Sequence, residues 1–215
     1  MLTNCPHAGG KMIAELMKVT EQPFDYQYLC GLLQDYKYPR NKISSLISSG
    51  ELIALKRGLY ILSEQYNKQV IPEVVANALY GPSYISTDYA MAYYGMIPER
   101  AYNIGSVTTG RRKLYHTKLG TYTYRSLKLS YYQTAYHIQN KGGTNFLIAT
   151  PEKALCDQLY FYPVQAGTLE LEHALITDLR IDYDTMQSLS GSLILKIAKT
   201  ANSTNLNLLS KMVKQ

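Results

Sequence analysis

The residues able to do chemistry are scattered along this chain, and their spacing argues against a reaction centre. Asp182-Tyr183-Asp184 resembles the paired carboxylates that hold a metal ion. Nucleotidyl transfer needs a glycine-serine loop shortly ahead of such a pair. Here Gly191-Ser192 follows it and Gly105-Ser106 lies far upstream. Asp178, Asp182 and Asp184 are therefore read as turn and helix-cap residues. Glu152 and Lys153 are adjacent and point in different directions on a helix, which removes a nuclease of the Asp…Glu-x-Lys type. His7, His116, His137 and His173 show no metal-ligand spacing with one another or with a cysteine. Cys156 falls in an apolar helical pattern and reads as core, not as a nucleophile. Gly9-Gly10 and Gly142-Gly143 lack the context of a phosphate-binding loop. No catalytic residue, metal or cofactor is expected. The chain reads as a binding protein.

What it binds is suggested by charge. The 215 residues carry 22 Lys and Arg against 16 Asp and Glu, a net charge of +6, which favours a polyanionic partner. At 46% hydrophobic residues the chain can build real cores, in one large domain or two small ones. No apolar run approaches the roughly 18 residues of a membrane span, and MLTNCPHAGGKM lacks the layout of a signal peptide. Cys5, Cys30 and Cys156 are odd in number and far apart, so a reducing cytoplasm fits better than a disulfide framework. The 21 tyrosines, with no tryptophan, are expected at half-wet core edges where the hydroxyl meets water.

One basic group, Lys37, Arg40, Lys42, Lys56 and Arg57, lies around the stretch PRNKISSLISSGELIALKRGLYIL, from Pro39 to Leu62. Tyr38-Pro39 opens a helix there, since proline suits a first turn and the residue before it avoids one. Ile43, Leu46 and Ile47 share its apolar side and Gly50 stops it. Asn41, Ser44, Ser45 and Ser48 point away, with Lys42 at the edge. Leu52–Leu55 and Leu59–Leu62 then form a hairpin through Lys56-Arg57-Gly58. Upstream, Lys11–Val19 and the stretch behind the cap at Phe24-Asp25 supply two more helices. Helix, helix, recognition helix and wing is the order of a winged helix-turn-helix DNA reader. Arg40, Asn41 and Lys42 would meet DNA, Ser44, Ser45 and Ser48 would line the groove, and Lys56 and Arg57 would grip phosphates from the wing.

Ser63–Gln69 is polar and aperiodic, a linker. Beyond it come a helix over Val70–Leu79, a capped helix from Ser86-Thr87-Asp88 to Gly95, and strands at Asn103–Thr108, Lys113–Thr117 and Gly120–Leu127. A strand at Phe146–Ala149, a helix opening at Thr150-Pro151-Glu152, and two tail helices broken at Asn202-Ser203 follow. A second basic group, Arg100, Arg111, Arg112, Lys113, Lys118, Arg125, Lys128 and Lys141, occupies a window with no acidic residue. A one-sign stretch of this length points to a phosphate-contacting surface, while its interleaved tyrosines read as packing residues.

GPSYISTDYAMAYYGMIPERAYNIGSVTTGRRK (Gly81–Lys113), LGTYTYRSL (Leu119–Leu127) and NFLIATPEKALCDQLY (Asn145–Tyr160) resemble the AbiEi-type antitoxins of type IV toxin–antitoxin pairs from abortive-infection loci. ISSLISSGELIALKRGLYIL resembles the family's N-terminal winged helix, so the likeness runs from about Phe24 to Tyr160. It implies an autorepressor of its own operon that binds inverted repeats in double-stranded DNA. It also implies an antitoxin against a nucleotidyltransferase-like toxin, without a stable complex between the two. The recognition helix is richer in serine than the family leads one to expect, which makes Asn41, able to bridge an adenine edge, the specificity residue.

The fold class expected is α+β. A winged helix-turn-helix over 1–63 precedes an α/β antitoxin domain over 71–215 with a mixed or antiparallel sheet and C-terminal helices. Arg100, Arg111, Arg112, Lys113 and Arg125 would extend the DNA contact or form the antitoxic surface. The chain would be a monomer or weak dimer in solution, with two copies on DNA. Two alternatives stand beside this: an orphan regulator or protein-interaction module with no toxin, and an enzyme that modifies the toxin.

Overall fold

The computed structural model describes residues 7–18, 23–66, 70–99 and 101–213. The N-terminal part opens with α1 (His7–Lys18), β1 (Phe24–Asp25) and α2 (Tyr26–Leu32). It continues through α3 (Pro39–Ser48), β2 (Leu52–Lys56) and β3 (Leu59–Leu62). Met12 and Leu16 of α1, Leu29 of α2, and Ile43 and Leu46 of α3 are buried against Leu52 and Leu62 of the hairpin. Asp25 caps α2 as expected, accepting from the Tyr28 amide at 2.7 Å. The same dipeptide also pairs with β3, Phe24 opposite Tyr60 and Asp25 opposite Leu59, giving a sheet of order β1-β3-β2. A two-residue strand carries no periodicity, which is why the sequence shows only the cap. The hairpin turns at Arg57-Gly58, where Gly58 has φ +83, a conformation a side chain would resist.

The hairpin also looks the other way. Leu55, Leu59 and Ile61 join a second core that runs through the rest of the chain. Helix α4 (Pro72–Leu79), β4 (Ser83–Ile85), α5 (Thr87–Tyr93), β5 (Ile104–Thr108), β6 (Lys113–Thr117) and β7 (Gly120–Ser126) come first. Then follow α6 (Leu129–Tyr132), β8 (Tyr136–Lys141), β9 (Thr144–Ala149) and α7 (Pro151–Phe161). Helix α8 (Thr168–His173) runs on through a wider turn at Ala174–Asp178, before α9 (Tyr183–Ser188), α10 (Gly191–Thr200) and α11 (Thr204–Met212). The six-stranded sheet has the order β6-β7-β5-β4-β9-β8, parallel at β5–β7 and β4–β9 and antiparallel elsewhere. The fold is α+β with a mixed sheet.

Register assigns the two faces. Ile148, Ile85, Ser106 and Tyr124 form one row across four strands, and the Tyr124 hydroxyl donates to the Ala76 carbonyl of α4 at 2.6 Å. Tyr84, Val107 and Arg125 form a row on the opposite face, where the Tyr84 hydroxyl donates to Asp157 of α7 at 3.1 Å. Helix α4 therefore covers one face, and α5 and α7 the other. Tyrosines fill this core more completely than the sequence suggested: Tyr84, Tyr122, Tyr124 and Tyr131 are fully buried. Tyr84 stacks on Tyr136, and Tyr131 on Tyr160, so ring packing substitutes for the half-wet edge expected of them.

The tail confirms its break. The Asn205 amide, just past it, donates to the carbonyls of Leu159, Tyr162 and Pro163, each at 3.1 Å, fastening α11 onto the end of α7. Asp182 caps α9 by accepting from the Thr185 amide, and Cys156 is fully buried, both as the sequence indicated.

Candidate nucleic-acid interface

Helix α3 presents two unlike sides. Ile43 and Leu46 are buried, whereas Arg40, Asn41, Ser44, Ser45 and Ser48 are exposed and Lys42 is half-buried. Beyond the helix, Ser49 donates to Glu51, and Tyr66 donates to the other oxygen of the same carboxylate, which ties the helix end to the hairpin and the chain after it. Arg57 is exposed at the hairpin tip. Lys56 is placed differently from the expectation of a phosphate grip. Its ammonium donates to the Leu79 carbonyl at 2.6 Å, because α4 ends there and leaves unpaired carbonyls at the negative end of its dipole. The two cations of the hairpin tip thus part ways, one locked onto α4 and the other outside.

Of the second basic group, Arg111, Arg112, Lys113, Lys118 and Arg125 lie on or beside β6 and β7, whereas Lys128 precedes α6 and Lys141 ends β8, paired with the buried Glu73 at 2.8 Å. Arg111, Arg112 and Lys113 are exposed; Arg100 lies outside the described residues. The Arg125 guanidinium sits 4.0 Å from the Phe161 ring centre. Its pKa is lowered by desolvation and by the nearby Arg112 charge, against a smaller opposing pull from Asp88. Arg112, Lys113 and Arg125 edge a recess of about 300 Å³ whose floor includes Thr123 and whose α5 side carries Thr87 and Asp88. Among the described residues none of the three cations has a carboxylate within ion-pair distance.

Sequence reasoning missed a polar cluster that is wholly buried. Lys153 and Asp157 are both inaccessible to solvent, with Nζ 2.9 Å from Oδ1 as an ion pair. The same ammonium donates to the Tyr131 carbonyl at 3.0 Å and lies 3.1 Å from the Tyr131 ring centre. Asp157 Oδ2 accepts from Ser86 at 2.6 Å and from Tyr84 at 3.1 Å. Ser86 stands at the start of α5 as expected, but its hydroxyl serves this carboxylate and not the helix. Burial pushes the Lys153 pKa down despite its partner. A lysine four residues before an aspartate within a helical stretch was the available signal, and it is a common surface pattern. With no solvent access the cluster holds β4, α5, α6 and α7 together.

Among the described residues no group of three His, Cys, Asp or Glu is placed to hold a metal ion. His116 pairs with Thr121 at 3.1 Å across the exposed β6–β7 turn. Among the described residues no helix is long and apolar enough to cross a membrane.

No protein-family model matches the chain, and no curated protein is significantly similar to it. The fold is similar to the crystal structure of the RV2827C protein from Mycobacterium tuberculosis, with a TM-score of 0.53 at 12% identity. The match covers 97% of this chain and 82% of that one, and at this identity it carries the fold alone.

Proposed function

We propose that the chain is a DNA-binding autorepressor whose N-terminal part is a winged helix, and that it acts as the antitoxin of a nucleotidyltransferase-like toxin. The observation that carries the DNA reading is the two-sided α3. Arg40, Asn41, Ser44, Ser45 and Ser48 are exposed together while Ile43 and Leu46 anchor the helix from behind. The β1-β3-β2 sheet beside it supports a wing ending in the exposed Arg57. Small serines let a helix sit deep in a major groove, and Asn41 can pair bidentately with adenine. Arg40, Lys42 and Arg57 would hold phosphates, with Lys56 fixing the hairpin to α4 from inside. Two copies on an inverted repeat follow from the geometry of such readers. The antitoxin part rests on the resemblance of Gly81–Tyr160 to the AbiEi type, with Arg111, Arg112, Lys113 and Arg125 as its basic surface.

The test is a reporter driven by the DNA upstream of the gene, run beside a growth assay with the neighbouring gene product. The chain is expected to repress the reporter and to restore growth. Asn41→Ala is expected to lose about 1–3 kcal/mol on the preferred duplex and little on random DNA. Equal losses on both duplexes would remove Asn41 from base reading. Unrestored growth would remove the antitoxin role.

A further inference from the structure

The recess at the β6–β7 end of the sheet forms where these strands meet the start of α5. Gly105, Thr123 and Leu114 are register partners across β5, β7 and β6, on the face turned toward α5 and α7. A side chain at Gly105 would meet the Thr87 hydroxyl at 2.7 Å and Asp88 at 3.1 Å, so glycine is what lets the start of α5 close against the sheet there. Thr87 itself has φ +56, a strained state for a β-branched residue. Its hydroxyl is bonded to the Ser86 carbonyl and lies 3.0 Å from the carboxylate of Asp88, a residue that lines the recess. Arg125 is laid over Phe161, and Arg112 and Lys113 arrive from the strand edge. Three cations against one carboxylate leave two positive charges over a concave space of about 300 Å³.

We propose that this recess binds a phosphate monoester, with Arg112, Lys113 and Arg125 on the dianionic phosphate. Asp88 accepts a hydrogen bond from a hydroxyl or amine on the organic part. The charge balance selects the class: a net charge of two positive over the recess matches a dianionic monoester, whereas a backbone diester brings one negative charge. Size agrees, since a recess of about 300 Å³ has room for a phosphate and part of a nucleoside. The same chemistry is offered by a free nucleoside monophosphate and by the 5′-phosphorylated end of a strand. The site is separate from the α3 face, so it stands or falls independently of operator reading.

The test is calorimetric titration of the full chain with AMP, inorganic phosphate and adenosine, and with an oligonucleotide carrying either a 5′-phosphate or a 5′-hydroxyl. AMP or the phosphorylated strand is expected to bind saturably and adenosine not at all, and the better of the two identifies the source. Arg112→Gln and Arg125→Gln are each expected to weaken binding by roughly tenfold or more. Lys199→Gln, an equal loss of charge on an exposed helix position elsewhere, is expected to change nothing. Arg112 is exposed, so its variant tests the site even where Arg125→Gln disturbs the Phe161 contact. Binding that survives both substitutions, equal binding of adenosine and AMP, or no binding of any phosphate monoester would overturn the proposal.

Discussion

Asp157→Ala is expected to cost about 3–5 kcal/mol of folding stability. The substitution strands the fully buried Lys153 ammonium and removes the acceptor of the Ser86 and Tyr84 hydroxyls at once. A charge left without its partner where water cannot reach is the costly case, and the Tyr131 carbonyl and ring cannot neutralise it. The pair itself adds far less, because desolvating both ions offsets much of their attraction. A double variant, Lys153→Met with Asp157→Leu, is accordingly expected to recover most of the lost stability. Urea unfolding of the three proteins decides it. A loss below about 1 kcal/mol for Asp157→Ala, or a double variant no better than the single, would contradict the assignment.

Alkaline solution is expected to unfold the protein abruptly above about pH 10. Burial, the first cause in each case, raises the phenols of Tyr84, Tyr124 and Tyr131 well above the ordinary tyrosine range, and those of Tyr122 and Tyr132 to about 12. A pKa raised in the folded state gives stability that is whole below the unfolded value near 10 and drains as pH climbs through the folded one. Lys153 acts in the opposite sense, since its lowered pKa adds stability as pH rises toward about 10.4, but it is one group against five. Each proton of imbalance is worth about 1.4 kcal/mol per pH unit, and five approach roughly 7, comparable to the whole stability of a domain. Phenolate absorbance followed beside circular dichroism checks this. The buried set is expected to ionise only as the fold is lost, so that its phenolate signal and the loss of secondary structure rise together. A single reversible wave of all tyrosines with secondary structure intact would contradict it.

The structure also shows where the amino-acid sequence speaks plainly and where it does not. Local grammar was legible: Pro39 opens α3, Asp25, Thr150 and Asp182 cap their helices, and the runs at 104–108, 113–117 and 120–126 are strands. Strand β4 has three residues and β1 two, too few to show an alternation, and the polar edge strand β8 is written as YHIQNK. Their pairings are long-range facts. The same holds for polar partners: nothing adjacent to Lys56 announces the Leu79 carbonyl 23 residues on, nor does Asp157 announce Ser86 and Tyr84. Of the site, the exposed face of α3 followed from helical spacing alone. The recess at the β6–β7 end of the sheet did not, because Gly105, Asp88 and Arg125 come near one another only through sheet register and the packing of α5.

The central claim, that α3 and the hairpin tip read duplex DNA, is tested most directly by titrating the upstream duplex and a scrambled one at two salt concentrations. Each phosphate neutralised contributes about 0.9 to the log–log salt slope, so Arg40, Lys42 and Arg57 together give roughly −2.7 or steeper. The account expects preference for the native duplex, and a slope flattened by about 0.9 in Arg57→Ala. Equal weak binding to both duplexes, with a slope that Arg57→Ala leaves unchanged, would contradict it and turn the exposed face of α3 toward some other partner.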